Sequence, residues 1–469
     1  MNAYLKKAVS IFSLFKRAVA GTEQNFTEGS INRAIFLLSI PMILEMAMES
    51  LLAVVDIFFI SLLGDNDAVT AVGLTESVIA IVYSIAMGLG MAATAMVARR
   101  IGEKDGPGAA IAAVNALYIG FVVSLLFSIA GFLFYEDILR LMGASQNIID
   151  VGSGYTQWML TGNITIVSLF VINAIFRGAG NAAIAMQSLW IANILNMILD
   201  PIFIFGWGPF PAMGVEGAAI ATNIGRGAGV LFQLYFLAGE KGIIKIHKEN
   251  VKVDGEIVIR LLKVSAGNIG QFLISTASWL FLSRIIVNFG SAAFAGYQFA
   301  IRIIMFTILP SWGMANAAAT LVGQNLGANQ PDRAEKSVWM AGLLNMVFLG
   351  LISIVFFFIS EPIMGVFSSN KEVIFYGTQC LRIVTFGYVF YGYGMVIIQA
   401  FNGAGDSRTP TVLSLFGYWL FQIPLAYVMA IKLNFGASGA FWAIAIAESA
   451  MAVAAIIIFR KGKWKSVKI

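Results

Sequence analysis

The chain has 469 residues, of which 59% are hydrophobic and only 12% carry charge, against roughly 25% charged residues in soluble globular proteins. Its mean hydropathy of +0.84 leaves too little polar surface for a soluble enzyme, a disordered protein or a disulfide-rich scaffold. With one cysteine, one histidine and a net charge of +5 carried by short loops and tails, the sequence predicts an integral membrane protein without a disulfide, a two-histidine zinc site or a nucleic-acid partner.

Twelve stretches of the chain are long and apolar enough to cross a bilayer, for which about 20 residues are needed. The first 33 residues carry five basic side chains and are interpreted as a cytoplasmic arm with an interfacial helix over 4–19. A basic cytoplasmic linker at 239–256 separates the sixth span from the seventh, and a basic tail occupies 461–469. The predicted spans are 34–63, 68–98, 107–134, 148–175, 181–205, 213–238, 257–288, 291–322, 332–360, 373–401, 409–432 and 436–459.

Basic residues are distributed unequally between the two sides of this predicted bundle. With the N-terminus inside, 22 of the 30 Lys and Arg residues fall in cytoplasmic segments, three in outer loops and five within spans. Positively charged loops are retained in the cytoplasm during insertion. The sequence therefore predicts a multi-pass protein of the plasma (inner) membrane with both termini cytoplasmic.

The two halves of the chain repeat each other at a nearly constant offset. Two glycine-containing motifs recur after 225 residues and a third recurs after 222 residues. Because each half holds six spans, both halves face the same way, which predicts an N-lobe over 34–238 and a C-lobe over 257–460 with a substrate between them. A duplicated structural bundle without a transport role is the alternative. The matching segments are 101–103 with 326–328, 176–180 with 401–405, and 214–218 with 436–440.

Acidic residues inside the predicted spans are concentrated in the N-lobe. Asp56 and Asp200 lie near the outer ends of the first and fifth spans, with Asn196 one helical turn before Asp200 and Thr222 at a similar depth. Ionisable groups within a membrane are costly and mark functional sites. These carboxylates can carry a proton or, with the amide and hydroxyl oxygens, coordinate Na⁺. Structural pairing with Arg226 is the alternative.

Other polar residues within the spans are candidates for a substrate cavity. In the C-lobe we assign Gln271 and Gln298 to the cavity, and we expect an ion pair among Arg302, Arg382 and Glu448 to hold three helices together. Three N-lobe acids are open between a cavity role and a structural ion pair. These acids are Glu45, Glu49 and Glu76.

Several motifs resemble the multidrug and toxic compound extrusion (MATE) transporters. The first span opens with Ser39-Ile40-Pro41-Met42-Ile43 and ends with Val55-Asp56-Ile57-Phe58-Phe59, as the first helix of that family does. The turns at 177–181 and 402–406 look like the family's paired signatures, as does Asn196-Met197-Ile198-Leu199-Asp200-Pro201. The resemblance covers nearly the whole chain and looks closest to the DinF-like branch. It implies twelve transmembrane helices in two six-helix lobes that form a V, and export of amphipathic, often cationic compounds driven by an inward H⁺ or Na⁺ gradient.

The same resemblance carries functional roles to individual positions. The fourth-helix tyrosine of the family falls on Tyr155, and a cavity-lining asparagine near the end of that helix falls on Asn173. The NorM-like branch has an additional acid in the seventh helix, where this chain reads Asn268-Ile269-Gly270-Gln271-Phe272, which argues against a C-lobe cation site. The implied cation-coupling residues are Asp56, Tyr155, Asn196, Asp200 and Thr222.

The predicted function is a secondary antiporter that exports organic compounds by alternating access. No cofactor beyond the coupling ion, no nucleic acid and no ATPase subunit is expected, since the chain holds no Gly-Lys-Ser/Thr phosphate loop. The protein is expected to act as a monomer in the lipid bilayer. A flippase for a lipid-linked metabolite is the alternative, and it predicts a strongly cationic central cavity. A membrane enzyme is disfavoured because the chain offers no His, Cys or metal constellation.

Overall fold

The N-terminal half is built entirely from helices. The computed structural model describes residues 3–21, 26–239, 242 and 244–469, and these contain no strand. Parts of the predicted arm (1–2 and 22–25) and of the linker (240, 241 and 243) lie outside the described residues. The helices are α1 (Ala3–Ala20), α2 (Ile31–Ser61), α3 (Asn66–Gly102), α4 (Gly106–Leu141), α5 (Gln146–Thr161), α6 (Asn163–Gly178), α7 (Ala182–Phe205) and α8 (Gly214–Ala238).

The C-terminal half repeats this pattern, with one irregular helix. The span Arg408–Lys432 contains the π-helical segments Leu415–Gln422 and Val428–Lys432. The helices are α9 (Gly255–Val287), α10 (Ser291–Gly327), α11 (Pro331–Phe367), α12 (Lys371–Phe386), α13 (Tyr388–Ala404), α14 (Arg408–Lys432) and α15 (Gly436–Arg460).

The helices begin where the sequence supplies capping side chains. Asp65 accepts hydrogen bonds from two backbone amides at the start of α3, Asp105 accepts one from Gly108 at the start of α4, and Asp254 accepts two at the start of α9. An aspartate at this position satisfies amides that the helix itself leaves free. These caps set where three of the spans begin.

The predicted fold class, an all-helical membrane bundle of twelve spans, is confirmed. In the described part of the chain, nine spans are long and apolar enough to cross a membrane when α5 and α6 are counted as one span (Gln146–Gly178). The bent pair α12 and α13, which meet at 56°, forms a tenth. The helices α2 and α8 complete the twelve, and both carry charged residues. Two spans are broken where the sequence predicted continuous helices, at Gly162 and at Gly387. Glycine weakens a helix interior, which explains both positions.

Two helices extend beyond their predicted ends because they continue past the apolar stretch. α4 bends at Phe134, whose backbone is non-helical, and then runs on to Leu141. Arg140 stabilises this extension with bonds to Glu136 at 2.9 Å and to Asp137 at 3.0 Å. α11 likewise runs to Phe367. Hydropathy alone marks the apolar stretch and leaves out such polar helical ends.

Both ends of the described chain, the linker and the loop after α3 meet at one face of the bundle, called here the terminal face. Arg333 donates to the carbonyl oxygens of Glu28 and Gly29, each at 2.9 Å, and so ties the segment before α2 to the C-lobe. Asn115 of α4 donates to the Lys252 carbonyl oxygen at 3.1 Å and holds the linker against the N-lobe. We call the opposite side of the bundle the far face.

The C-terminal tail is docked across the two lobes at the terminal face. Trp464 is buried and stacks on Phe459 with ring centroids 4.6 Å apart. Lys465 Nζ lies 2.6 Å from Glu335 Oε2 on α11, and this carboxylate raises the pKa of Lys465 above its ordinary value. On the N-lobe side, Arg99 of α3 donates to the Val467 carbonyl oxygen. The tail therefore bridges α3 and α11.

The lobes also meet directly where α3 crosses α10 near the terminal face. A Cβ atom at Gly102 would lie 2.0 Å from the Gln324 carbonyl oxygen, and one at Gly327 would lie 2.1 Å from the Arg99 carbonyl oxygen. Gln324 Nε2 also donates to the Gly178 carbonyl oxygen at 3.0 Å. The duplicated glycines of the two repeats thus form one reciprocal contact, which closes the terminal side of the bundle.

Replacing Gly102 by Val should open this contact, because a backbone carbonyl cannot move aside as a side chain can. We expect a cysteine at the buried Thr320, introduced into the Cys380→Ala protein, to react with a maleimide several-fold faster in Gly102→Val than in the parent. Gly106→Val is the matched control, since a Cβ there has no atom within 4 Å. Equal labelling of the two valine variants would contradict the closed crossing.

Candidate functional site

Two acidic side chains of the N-lobe come together in its interior. Asp56 on α2 and Asp200 on α7 have carboxyl groups within hydrogen-bonding distance of each other. Asn196 Nδ2 donates to Asp200 Oδ1 at 3.0 Å and lies 3.4 Å from Thr222 Oγ1 on α8. The structure thus places four of the five predicted coupling residues side by side.

Close packing of α7 and α8 makes this arrangement possible. A Cβ atom at Gly225 would lie 2.5 Å from the Ala192 carbonyl oxygen and 3.1 Å from the Asn196 side chain. A Cβ atom at Gly217 would lie 2.6 Å from backbone atoms of Phe203. Small residues at such interfaces let two helix backbones approach within a membrane. This close approach of the two helices brings the Thr222 hydroxyl on α8 next to the Asn196 amide on α7.

Three oxygens of this group accept no hydrogen bond from any residue that the structure describes. They are buried, and buried acceptors in folded proteins are almost always satisfied. Two carboxyl groups at this separation also repel each other when both are ionised. The group can therefore hold a proton between its carboxyls or a small hard cation among its oxygens. The three unsatisfied atoms are Asp56 Oδ1, Asn196 Oδ1 and Asp200 Oδ2.

Arg226 lies beside the carboxyl pair but forms no direct ion pair within the described part of the chain. It is buried, lies within electrostatic range of Asp56 and Glu49, and donates a hydrogen bond to the Tyr83 hydroxyl. Its guanidinium carbon lies 5.5 Å from the centre of the Tyr83 ring. The sequence analysis did not identify Tyr83, because a tyrosine in an apolar helix gives no signal of its partner.

Glu45 forms a buried ion pair nearer the terminal face. Arg177 Nη1 lies 2.8 Å from Glu45 Oε1, and Asn173 Nδ2 donates to the same oxygen at 3.2 Å. Ser188 donates to Asn173 Oδ1 at 3.0 Å, and Gln233 donates to both Asn173 and Ser188. Both side chains are thus enclosed in a network between α2, α6, α7 and α8, and their assignment to a substrate cavity stays a prediction.

The other predicted N-lobe residues lie around the carboxyl pair. Tyr155 is buried in an apolar cluster, with its hydroxyl within electrostatic range of Asp56 and Glu76. Asn193 lies 3.4 Å from Glu49. Glu76 is exposed and lies within electrostatic range of Arg302 on α10, across the cleft between the lobes. Tyr155 thus belongs to the surroundings of the site, while Glu76 faces the opposite lobe.

A cavity of about 430 Å³ lies between α3 and the C-lobe helices α9, α10, α13, α14 and α15. Gln271 lines this cavity, whereas Gln298 is exposed elsewhere on α10 and does not. Tyr83 forms part of the N-lobe wall, so the same hydroxyl that accepts from Arg226 belongs to a cavity-lining residue. Arg226 and Tyr83 therefore link the cavity to the carboxyl pair, through a hydrogen bond between them and the electrostatic attraction of Arg226 to Asp56.

The expected C-lobe ion pair is wrong. Arg382 donates to the Phe357 carbonyl oxygen at 3.1 Å and is exposed. Arg302 lies within electrostatic range of Glu76 in the N-lobe, and Glu448 accepts a hydrogen bond from Tyr418 at 3.2 Å. The three residues lie at a similar depth in the membrane, but their depth does not determine the direction in which each side chain leaves its helix.

Twelve spans in two halves around a cavity define a polytopic membrane transporter. The chain belongs to the MATE transporter family, whose model, MatE, matches residues 41–202 and 264–428. The predicted family is thus confirmed, while the DinF-like branch stays a prediction.

Named relatives cover nearly the whole chain. It is 25% identical over 411 residues to the probable multidrug resistance protein YoeA of Bacillus subtilis (strain 168), covering 87% of this chain and 89% of that protein. It is 24% identical over 435 residues to the multidrug export protein MepA of Staphylococcus aureus (strain MSSA476), covering 92% and 94%. The fold matches an outward-facing multidrug resistance MATE family transporter of the MOP superfamily with a TM-score of 0.88, at 26% identity and coverages of 94% and 98%.

Proposed function

We propose that the protein is a secondary antiporter that exports amphipathic organic cations in exchange for H⁺ or Na⁺. The observation that carries this proposal is the carboxyl pair of Asp56 and Asp200, with a buried, unsatisfied oxygen on each side chain. An intramembrane carboxyl pair that forms no direct ion pair within the described part of the chain is a natural site for a transported ion. The names of the relatives, which are multidrug resistance and export proteins, support the organic substrate.

In this proposal the terminal face is cytoplasmic and the structure represents an outward-facing state. The crossing of α3 and α10 and the docked tail close the terminal side, while the carboxyl pair lies in the half of the N-lobe nearer the far face. The coupling ion enters from outside and neutralises the pair. The inward ion gradient then drives the return to an inward-facing state.

Arg226 and Tyr83 link ion binding to the cavity in this mechanism. While Asp56 is ionised, it attracts the Arg226 guanidinium, which also holds the Tyr83 hydroxyl. Binding of a proton or Na⁺ removes that attraction, so Arg226 and the Tyr83 wall of the cavity are free to shift. A change of this kind at the wall releases a substrate held between the lobes.

The carboxyl pair suits either coupling ion. A proton shared by the two carboxyls needs no further ligand. A sodium ion requires several oxygen ligands, which Asp56 Oδ1, Asn196 Oδ1 and Asp200 Oδ2 can supply. The alternative of a flippase for a lipid-linked pyrophosphate is disfavoured by the charges between the lobes. Among the described residues, Glu448 is the one charged residue that lines this cavity, and Arg177, which lines the adjoining pocket, is paired with Glu45.

Efflux from proteoliposomes tests the proposed function. We expect a fluorescent organic cation to leave loaded vesicles when either a pH gradient or, at constant pH, a Na⁺ gradient is imposed. The gradient that drives export identifies the coupling ion of the antiporter. Absence of export under either gradient, with folded protein in the vesicles, would contradict it.

A further inference from the structure

We propose that Glu448 of α15 determines the charge specificity of the cavity between α3 and the C-lobe, as the counter-ion of the bound organic cation. This inference rests on the proposed function and names the residue that sets its preference for a cation over a neutral molecule of the same shape. It concerns a site separate from the N-lobe carboxyl pair, since Glu448 lies in the opposite lobe.

The charge of the cavity selects for a cation. Glu448 is the single charged side chain among the described residues that line it. In the described part of the chain, no Lys or Arg lies within ion-pair distance of Glu448, and the recorded side-chain partner is the Tyr418 hydroxyl at 3.2 Å. An intramembrane carboxylate is costly without a counter-ion. A bound organic cation supplies that counter-ion with its single positive charge.

The helix that carries the hydrogen-bond partner of Glu448 is π-helical at that point. Tyr418 belongs to the π-helical segment Leu415–Gln422 of α14, and such segments occur frequently at functional sites. A Cβ atom at Gly417 would lie 1.9 Å from the Met451 sulfur on α15, so the two helices touch here. The widened turn and the missing side chain together bring the Tyr418 hydroxyl to the carboxylate.

The remaining walls suit a large, aromatic or delocalised cation. Phe272 and Trp312 stack with ring centroids 5.7 Å apart, and Trp279 and Tyr391 add two further ring systems. Aromatic faces attract cations, and their apolar area binds the hydrophobic part of such a ligand. Four methionines (Met87, Met305, Met395 and Met451) provide adaptable apolar surface. The volume of about 430 Å³ is within the range of small-molecule sites.

Binding of tetraphenylphosphonium to the purified protein in detergent tests this inference without any ion gradient. We expect Glu448→Gln to weaken binding by at least about tenfold, as removal of one partner of a desolvated charge pair does. Binding of the neutral triphenylphosphine oxide should stay the same. Glu361→Gln, which changes an exposed carboxylate on α11, is the matched control and should bind like the parent.

A variant that conserves the charge covers the case in which Glu448→Gln does not fold. Glu448→Asp retains the charge and should retain the preference for the cation over the neutral ligand, even if Glu448→Gln fails to fold. Equal affinity of the parent and Glu448→Gln for tetraphenylphosphonium would overturn the inference, as would no binding by the parent. If a gradient drives export but binding does not depend on Glu448, the role of Glu448 is refuted and the antiporter function stands. If binding depends on Glu448 but no gradient drives export, the role of Glu448 stands and the antiporter function is refuted.

Discussion

Asp200→Asn is expected to reduce gradient-driven export of an organic cation from proteoliposomes to the level of protein-free vesicles. Asp56→Asn should have the same effect. Each change leaves one carboxyl beside a neutral amide, so the site can no longer alternate between an ionised and a neutral pair. Binding of the organic cation without a gradient should persist in both variants, because the cavity lining is intact.

Asp150→Asn is the matched control for these variants. Asp150 is an exposed acid at the start of α5 that bonds Gln146 at 2.8 Å. We expect its export rate to equal that of the parent. Export at the parental rate by Asp56→Asn and Asp200→Asn, in protein shown to be folded, would refute a coupling role for the pair.

Arg177→Met is expected to destabilise the folded protein strongly. It leaves Glu45, which is 1% exposed, as a buried carboxylate with one amide partner. Breaking a buried ion pair from one side typically costs about 3–5 kcal/mol. The double variant Glu45→Gln with Arg177→Met should recover most of that loss, because it removes both charges. Thermal unfolding in detergent, followed through tryptophan fluorescence, measures both effects.

An exposed ion pair provides the comparison. Arg140 bonds Glu136 and Asp137, and its side chain is 49% exposed. We expect Arg140→Met to cost less than about 1 kcal/mol, as exposed pairs do. If Arg177→Met unfolds at the same temperature as Arg140→Met, the Glu45–Arg177 contact does not stabilise the N-lobe as described.

The twelve-helix fold could be predicted from sequence because a bilayer imposes a length and a composition on every span. The breaks at Gly162 and Gly387 could not, since glycine is also frequent in continuous membrane helices. The π-helical segment Leu415–Gln422 leaves no distinctive residue pattern either. The folded structure was needed for the local course of these helices.

The candidate site shows a similar division. Depth along adjacent helices was enough to group Asp56 with Asp200, because both lie near helix ends at the same level. Depth was not enough for Glu448, whose expected arginine partners point elsewhere on their helices. Arg177 was assigned to a loop, yet it lies in α6 and pairs with Glu45. Rotation about each helix axis decides such contacts, and a single sequence does not specify it.

The most direct test of the exchange of an organic cation for an ion through Asp56 and Asp200 is to impose a gradient of the organic cation and to measure the resulting movement of the ion. Vesicles that contain the protein and a pH-sensitive dye receive a gradient of the organic cation, with no initial pH or Na⁺ gradient. The account predicts proton movement opposite to the organic cation in the parent, or Na⁺ movement if that is the ion, and none in the double variant Asp56→Asn with Asp200→Asn. Flow of the organic cation without any opposing ion movement in the parent would contradict it.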